Sequence, residues 1–137
     1  MTKSNNKTTY TAAIGRRKSA VSSVKLYVGK ADSIINGLEI SKYFPGEHNK
    51  SLYLQPFSVT DTNNKYYFHA KIVGGGKTGQ LGALVLSISR CLQIIDPVNH
   101  LSKLRTAGLL TVDSRVRERR TTGTGGKARR QKQSPKR

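Results

Sequence analysis

Cysteine occurs once in this sequence, tryptophan not at all, and acidic side chains only seven times in 137 positions. A lone thiol, Cys91, cannot close an internal disulfide, which suits a reducing compartment and leaves the fold to be held by its core. On an apolar helical pattern Cys91 reads as a small buried hydrophobe rather than a reactive nucleophile. The scarcity of acids argues against paired-carboxylate catalysis, since Asp32, Glu39, Glu47 and Asp61 fall in turn-like or short-helix settings. His48, His69 and His100 are separated by 21 and 31 residues, with no Cys or carboxylate at ligand spacing, so no metal site is expected. Nothing resembles the strained elbow of a Ser/His/Asp hydrolase. The longest apolar-rich run, residues 81–95, is broken by Ser87, Ser89, Arg90 and Gln93, short of an uninterrupted spanning segment. The first ten residues, MTKSNNKTTY, have neither a secretory h-region nor the Arg-rich character of an import peptide. No internal repeat is visible. These absences predict a chain that is not an enzyme, with no cofactor, no small-molecule substrate and no membrane.

What is present is positive charge: 25 Lys and Arg give a formal net charge of +18. Residues 114–137 carry ten of these cations, with Glu118 the only acid and Val116 and Ala128 the only apolar side chains. Ordering each residue costs roughly 1–2 kcal/mol of backbone entropy, and this segment has no apolar surface to offset it. It is expected to stay disordered until a polyanion orders it. The remainder is also basic, 15 cations against 6 acids. Such charge self-repels in a free compact protein and is resolved on a phosphate backbone, where counterion release favours binding. The expected organisation is a disordered start at 1–8, one globular domain at 9–112 and an extended basic tail at 113–137.

Periodicity gives the globular part a mixed α/β character. Residues 10–14 and 21–28 are β-prone, separated by Gly15-Arg16-Arg17-Lys18-Ser19 on a connection or bent strand. Ile34-Ile35 enters an Asn36-Gly37 turn, the dipeptide that best tolerates positive φ. Residues 39–44 suit one or two helical turns stopped by Pro45-Gly46, and residues 48–55 a short helix ended by Pro56. Residues 65–73 alternate as a strand, with Tyr66, Phe68, Ala70 and Ile72 on one face and Tyr67, His69 and Lys71 on the other. Leu81, Leu84, Val85, Ile88, Cys91 or Leu92, and Ile95 then recur at helical spacing. Asp96-Pro97 ends that helix and starts the next, as N-cap and first residue, with Gly108 as its stop. Residues 109–112 form a last apolar anchor.

Gly74-x-Gly76-x-x-Gly79 matches the dinucleotide fingerprint GxGxxG, and Asp96 stands twenty residues past Gly76. In a true fingerprint that acid ends a second parallel strand, whereas here one unbroken helix intervenes. Gly76-Lys77-Thr78 suggests a phosphate loop, but the glycine required five positions earlier is Lys71. The glycines have a plainer use: a tight turn, close helix–sheet packing, and free N–H groups where a polymer phosphate could dock beside Lys77. Arg16-Arg17-Lys18 is a stronger candidate for polyanion contact, lying between two apolar strands. Tyr10, Tyr27, Tyr43, Tyr53, Tyr66 and Tyr67 could stack on unpaired bases or simply finish a core with their hydroxyls in water. A DNA-compacting protein of histone-like type and an NTP-binding enzyme are the alternatives to an RNA-bound structural protein.

Six segments in register carry a resemblance. They are Gly15-Arg16-Arg17-Lys18-Ser19-Ala20-Val21; Ile35-Asn36-Gly37; Tyr43-Phe44-Pro45; Val73-Gly74-Gly75-Gly76-x-x-Gly79-Gln80; Leu104-Arg105-x-Ala107-Gly108-Leu109-Leu110-Thr111-x-Asp113-x-Arg115; and Glu118-Arg119-Arg120. Together they resemble the ninth protein family of the small ribosomal subunit in its bacterial and organellar form, from about residue 10 to the end. The resemblance implies a two-layer α/β (α+β) sandwich like the second domain of the fifth small-subunit protein, with a left-handed βαβ crossover against the usual rule. It implies a structural role in the head of the subunit, on the 3′ major domain of the rRNA beside neighbouring head proteins. The tail would thread rRNA toward the P-site tRNA. The expected rRNA contacts are Arg16, Arg17, Lys18, Gly75, Gly76, Lys77, Lys103, Arg105, Arg115, Arg117, Arg119, Arg120, Lys127, Arg129, Arg130 and Lys132, with Lys136 and Arg137 on tRNA. The chain departs from the family pattern at Ser134 and Pro135, where Phe and Ser are usual, and in the less basic stretch 121–126. Frequent Asn, Lys, Ile and Ser in a family-length chain without a transit peptide lean toward a plastid rather than a bacterial ribosome.

Overall fold

The computed structural model describes residues 9–123, 125 and 126. The predicted disordered start at 1–8 and the candidate contacts Lys127, Arg129, Arg130, Lys132, Lys136 and Arg137 lie outside the described residues.

Alternation produces a five-stranded sheet in the order β1-β2-β5-β3-β4. Strand β1 (Tyr10–Arg17) pairs antiparallel with β2 (Ala20–Val28), which pairs antiparallel with β5 (Tyr66–Val73). The short β3 (Ile34–Ile35) runs parallel to β5 and antiparallel to β4 (Leu38–Glu39). Asn36 and Gly37, at φ 49° and 82°, make the β3–β4 turn that their dipeptide predicts. The crossover from β3 to β5 carries α1 (Ile40–Tyr43) and α2 (Glu47–Val59). Helices α3 (Lys77–Ile95) and α4 (Pro97–Thr106) follow β5.

The helices pack on one sheet face, giving two layers. Val24, Leu26, Phe68, Ala70 and Ile72 point into a core completed by Leu81, Leu84, Ile88, Cys91 and Leu92 of α3 and Leu104 of α4. Each fully buried aliphatic side chain there contributes roughly 1.5–3 kcal/mol. α3 is 19 residues long with a mean hydropathy of 1.3, so length and composition alone would let it cross a bilayer. Its apolar stripe is spent on the sheet instead.

Contact between α3 and the sheet requires small residues. A Cβ on Gly15 would lie 2.1 Å from the Ala83 carbonyl oxygen and 2.6 Å from the Ser87 nitrogen. Beside it, the buried Ser22 and Ser87 hydroxyls lie 3.1 Å apart, and Ser87 Oγ donates to the Leu84 carbonyl at 2.8 Å. At the α3–α4 junction, the Asp96 carboxylate accepts from the Asn99 backbone N–H at 3.2 Å, with Pro97 in the first turn. Gly108 closes α4 at φ 70°, its N–H on the Arg105 carbonyl and the Leu109 N–H on that of Leu104, satisfying two orphan acceptors.

One expectation needs correction. Pro56 does not end α2, which continues to Val59. So near the C-terminus the missing donor costs one bond, and the extra turn buries Phe57, whose ring lies 6.5 Å from that of Phe68. Of the two readings of residues 15–19, connection or strand, the strand holds for Gly15, Arg16 and Arg17, which belong to β1, and only Lys18 and Ser19 turn, with Lys18 at φ 54°. On α4, Val98 is 87% exposed, whereas Leu104 is fully buried.

Candidate nucleic-acid interface

Strand alternation separates the three adjacent cations. Arg16 is paired opposite Val21 and is exposed on the outer face, whereas Arg17, opposite the buried Ala20, turns toward the helices. Lys18 projects from the turn itself. Arg17 forms an ion pair with Asp113 at 3.0 Å and donates to the Arg115 carbonyl at 3.0 Å. Asp113 also binds Arg115, Nη2 to Oδ2 at 2.7 Å. Hydrogen bonds from the Arg115 side chain and backbone, reinforced by the Arg17 charge, hold the Asp113 carboxyl well below the usual carboxylate range. The root of the basic tail is thus fastened to the β1–β2 hairpin. The sequence signal for Asp113 is an acid at the head of a run of cations, but nothing local shows that Arg17 is its partner.

The glycine loop packs on the same hairpin. Gly74 and Gly75 adopt φ 74° and 63°. A Cβ on Gly74 would meet the Ser19 carbonyl oxygen at 2.5 Å, and one on Gly75 the Ala20 Cβ at 2.9 Å. Gly79, already inside α3, lies against the Arg17 carbonyl and the Lys18 side chain. Gln80 braces the loop, donating Nε2 to the Gly74 carbonyl at 3.0 Å while its Oε1 accepts the Tyr43 hydroxyl at 2.9 Å. Gly76 is the α3 N-cap, and no side chain caps the N–H groups of the first turn. Lys77 Nζ stands 3.5 Å from the Tyr43 ring centroid, a cation–π contact that fixes its stem. A groove of about 340 Å³ runs from Arg16 and Arg17 past Thr78 and Gly82 to Leu109 and Asp113.

Arg16, Arg17, Lys18, Gly75, Gly76, Lys77 and Arg115 therefore gather along one edge. Lys103 does not join them, because it is drawn to Asp61 at 2.7 Å. Arg105, two residues along α4, is exposed on a different side of that helix. Arg117, Arg119 and Arg120 follow the fastened tail root and are exposed, Arg120 donating to the Gly126 carbonyl at 2.6 Å. The fold also disposes of the nucleotide reading. The Asp96 carboxylate caps α4 rather than ending a strand, and among the described residues β5 has no later parallel neighbour. His100 is a core residue, its Nδ1 2.9 Å from the Leu92 carbonyl oxygen.

Comparison with known proteins gives the family. The family model described as ribosomal protein S9/S16 matches residues 15–137. The chain is similar to small ribosomal subunit protein uS9 of an Arthrobacter species, 44% identical over 126 residues that cover 92% of this chain and 74% of that protein. Identity to the protein of the same name from Leifsonia xyli is also 44%, with the same coverage. The Tropheryma whipplei protein is 40% identical over 92% of this chain and 81% of its own length. These relatives are bacterial and lend no support to a plastid source.

Proposed function

The chain belongs to the ribosomal protein S9/S16 family, and from that premise we propose that it is a structural component of the small ribosomal subunit that binds rRNA through the cationic edge. The observation that carries this reading is the convergence of three elements distant in sequence. The β1–β2 turn, the glycine loop at the α3 N-terminus and the tail root meet through Gly79 against Arg17 and through the Arg17–Asp113 ion pair. Exposed Arg16 and Lys18, the uncapped N–H groups of the α3 N-terminus and Lys77 suit phosphates arriving from more than one direction. Such contacts position an RNA without reading its sequence. Fastening Asp113 gives the tail a fixed point of departure, so that Arg115, Arg117, Arg119 and Arg120, then residues 127–137, can neutralise phosphates packed too closely to approach unaided.

The finer assignments follow family resemblance: a site in the head on the 3′ major domain beside neighbouring head proteins, a left-handed crossover between β3 and β5, and a tail whose Lys136 and Arg137 reach P-site tRNA. Lys103 and Arg105 would make a separate contact. Binding to small-subunit rRNA tests the electrostatic core of this reading. Affinity should fall with a log–log salt slope of about 0.7 to 0.9 per phosphate neutralised, and Arg16→Glu with Lys18→Glu should reduce both affinity and slope. Affinity independent of salt would refute it. Deleting Lys136 and Arg137 should leave subunit assembly intact while weakening P-site tRNA retention; unchanged occupancy would remove the tRNA role alone.

A further inference from the structure

The sheet face opposite the helices is uncovered by any other described element. Its side chains come from alternate positions of β1, β2 and β5, and strand register aligns them in four rows. Tyr10, Tyr27 and Tyr67 form the first row; Ala12, Lys25 and His69 the second; Ile14, Ser23 and Lys71 the third; Arg16, Val21 and Val73 the fourth. Tyr10, Ile14 and Val73 are 48%, 50% and 54% exposed. The Tyr27 and Tyr67 rings stack at 5.1 Å with 15° between planes, Tyr10 stands 5.7 Å from Tyr27, and His69 lies 5.1 Å from Tyr27. Lys25 Nζ sits 5.0 Å from the Tyr10 ring centroid. A groove of about 620 Å³ beside these rings is lined by Ile34, Asn36, His69, Lys71 and Val73. It exists because β3 stops after Ile35, and the Asn36 side chain takes over pairing with β5, bonding the Ile72 N–H and carbonyl at 2.9 and 2.8 Å.

Aromatic rings interleaved with cations, and no acid at any outward position of the three long strands, have a specific complement. We infer that this open face is a second RNA site, adjoining the cationic edge at Arg16, on which unpaired bases stack. The Tyr27–Tyr67 pair and Tyr10 are the platform, His69 and the adjoining groove receive a neighbouring base, and Lys25, Lys71 and Arg16 meet the phosphates. An apolar protein partner would strand three cations in its interface, and an acidic one would leave the ring faces unused; a single RNA strand matches both features. Duplex RNA does not, because its bases are already stacked. The inference rests on the reading that the polyanion of this chain is RNA.

The test uses the full chain and two probes with equal numbers of phosphates, a mixed-sequence RNA single strand and a blunt RNA duplex. Tyr10→Leu with Tyr67→Leu keeps apolar bulk but removes the platform, and thermal unfolding checks that the fold is retained. Single-strand affinity should drop roughly tenfold or more, the worth of at least one stacked base, with less than about twofold change on duplex. Tyr10→Phe with Tyr67→Phe should restore it. Unchanged single-strand affinity, or equal losses on both probes, would overturn the site while leaving the cationic edge intact. Tyrosine-dependent binding of polyglutamate in place of RNA would assign the face to an acidic protein and overturn it as well. Failure of the unaltered chain to bind either RNA would refute the RNA reading and this site together.

Discussion

The two faces of one sheet have opposite requirements. On the inner face Gly15 leaves no room for a methyl group, Ser22 meets Ser87 in full burial, and Cys91 is enclosed between α3 and the first two strands, its thiol donating weakly to the Thr11 and Val24 carbonyls. On the outer face Ala12, Ser23, Lys25 and Lys71 are exposed and the rings touch mainly one another. The same strands supply both, residue by residue. The inner face is therefore constrained by stability and the outer by whatever docks there, and substitutions should separate the two.

Replacing Gly15 with Ala should have the largest effect. Both atoms that its Cβ would strike are backbone, so α3 must move off the sheet, costing about 3 kcal/mol as for severe overpacking. Urea unfolding measures this, and a cost under 1 kcal/mol would show the inner face to be looser than described. Ser87→Ala should follow at about 1–2 kcal/mol, because it leaves the Ser22 hydroxyl buried without its neighbour. Burial pushes the Cys91 thiol up to about 12 from an ordinary 9.0. The unfolded thiol ionises above its ordinary value while the folded one stays protonated, so this contribution is complete below about pH 9 and declines toward pH 12. Comparing the high-pH stability of the native chain and Cys91→Ala checks it, and alkylation of Cys91 should require unfolding. On the outer face Ser23→Thr should change stability by no more than about 0.5 kcal/mol. A larger loss there would break the contrast.

Much of this architecture was legible locally. Alternation at 66–73 and helical spacing at 81–95 identify β5 and α3 because the residues that share a face are near in sequence. Asp96-Pro97 and Gly108 mark the ends of α4 by the backbone groups they satisfy. The candidate edge was only half visible. Arg16, Arg17 and Lys18 read as one basic cluster, yet the pleat sends Arg17 inward to Asp113, almost a hundred residues away, and leaves Arg16 on the other face. The loop after α2 supplies Asp61 as a partner for Lys103, a pairing across 42 positions that sequence does not show. Pro56 read as a stop, since sequence cannot show that one more turn buries Phe57 against Phe68.

By itself, the sequence determined the charge, the order and kind of the main elements, and a family signature spread over six segments. Those properties depend on composition or on neighbours a few residues apart. Only the tertiary structure decided which glycines are obligatory, that the hairpin turn, glycine loop and tail root form one edge, and that Tyr10, Tyr27 and Tyr67 stand in a row. Each of these is fixed by strand register and by the separation of α3 from the sheet, relations between residues far apart in the chain that packing alone brings together.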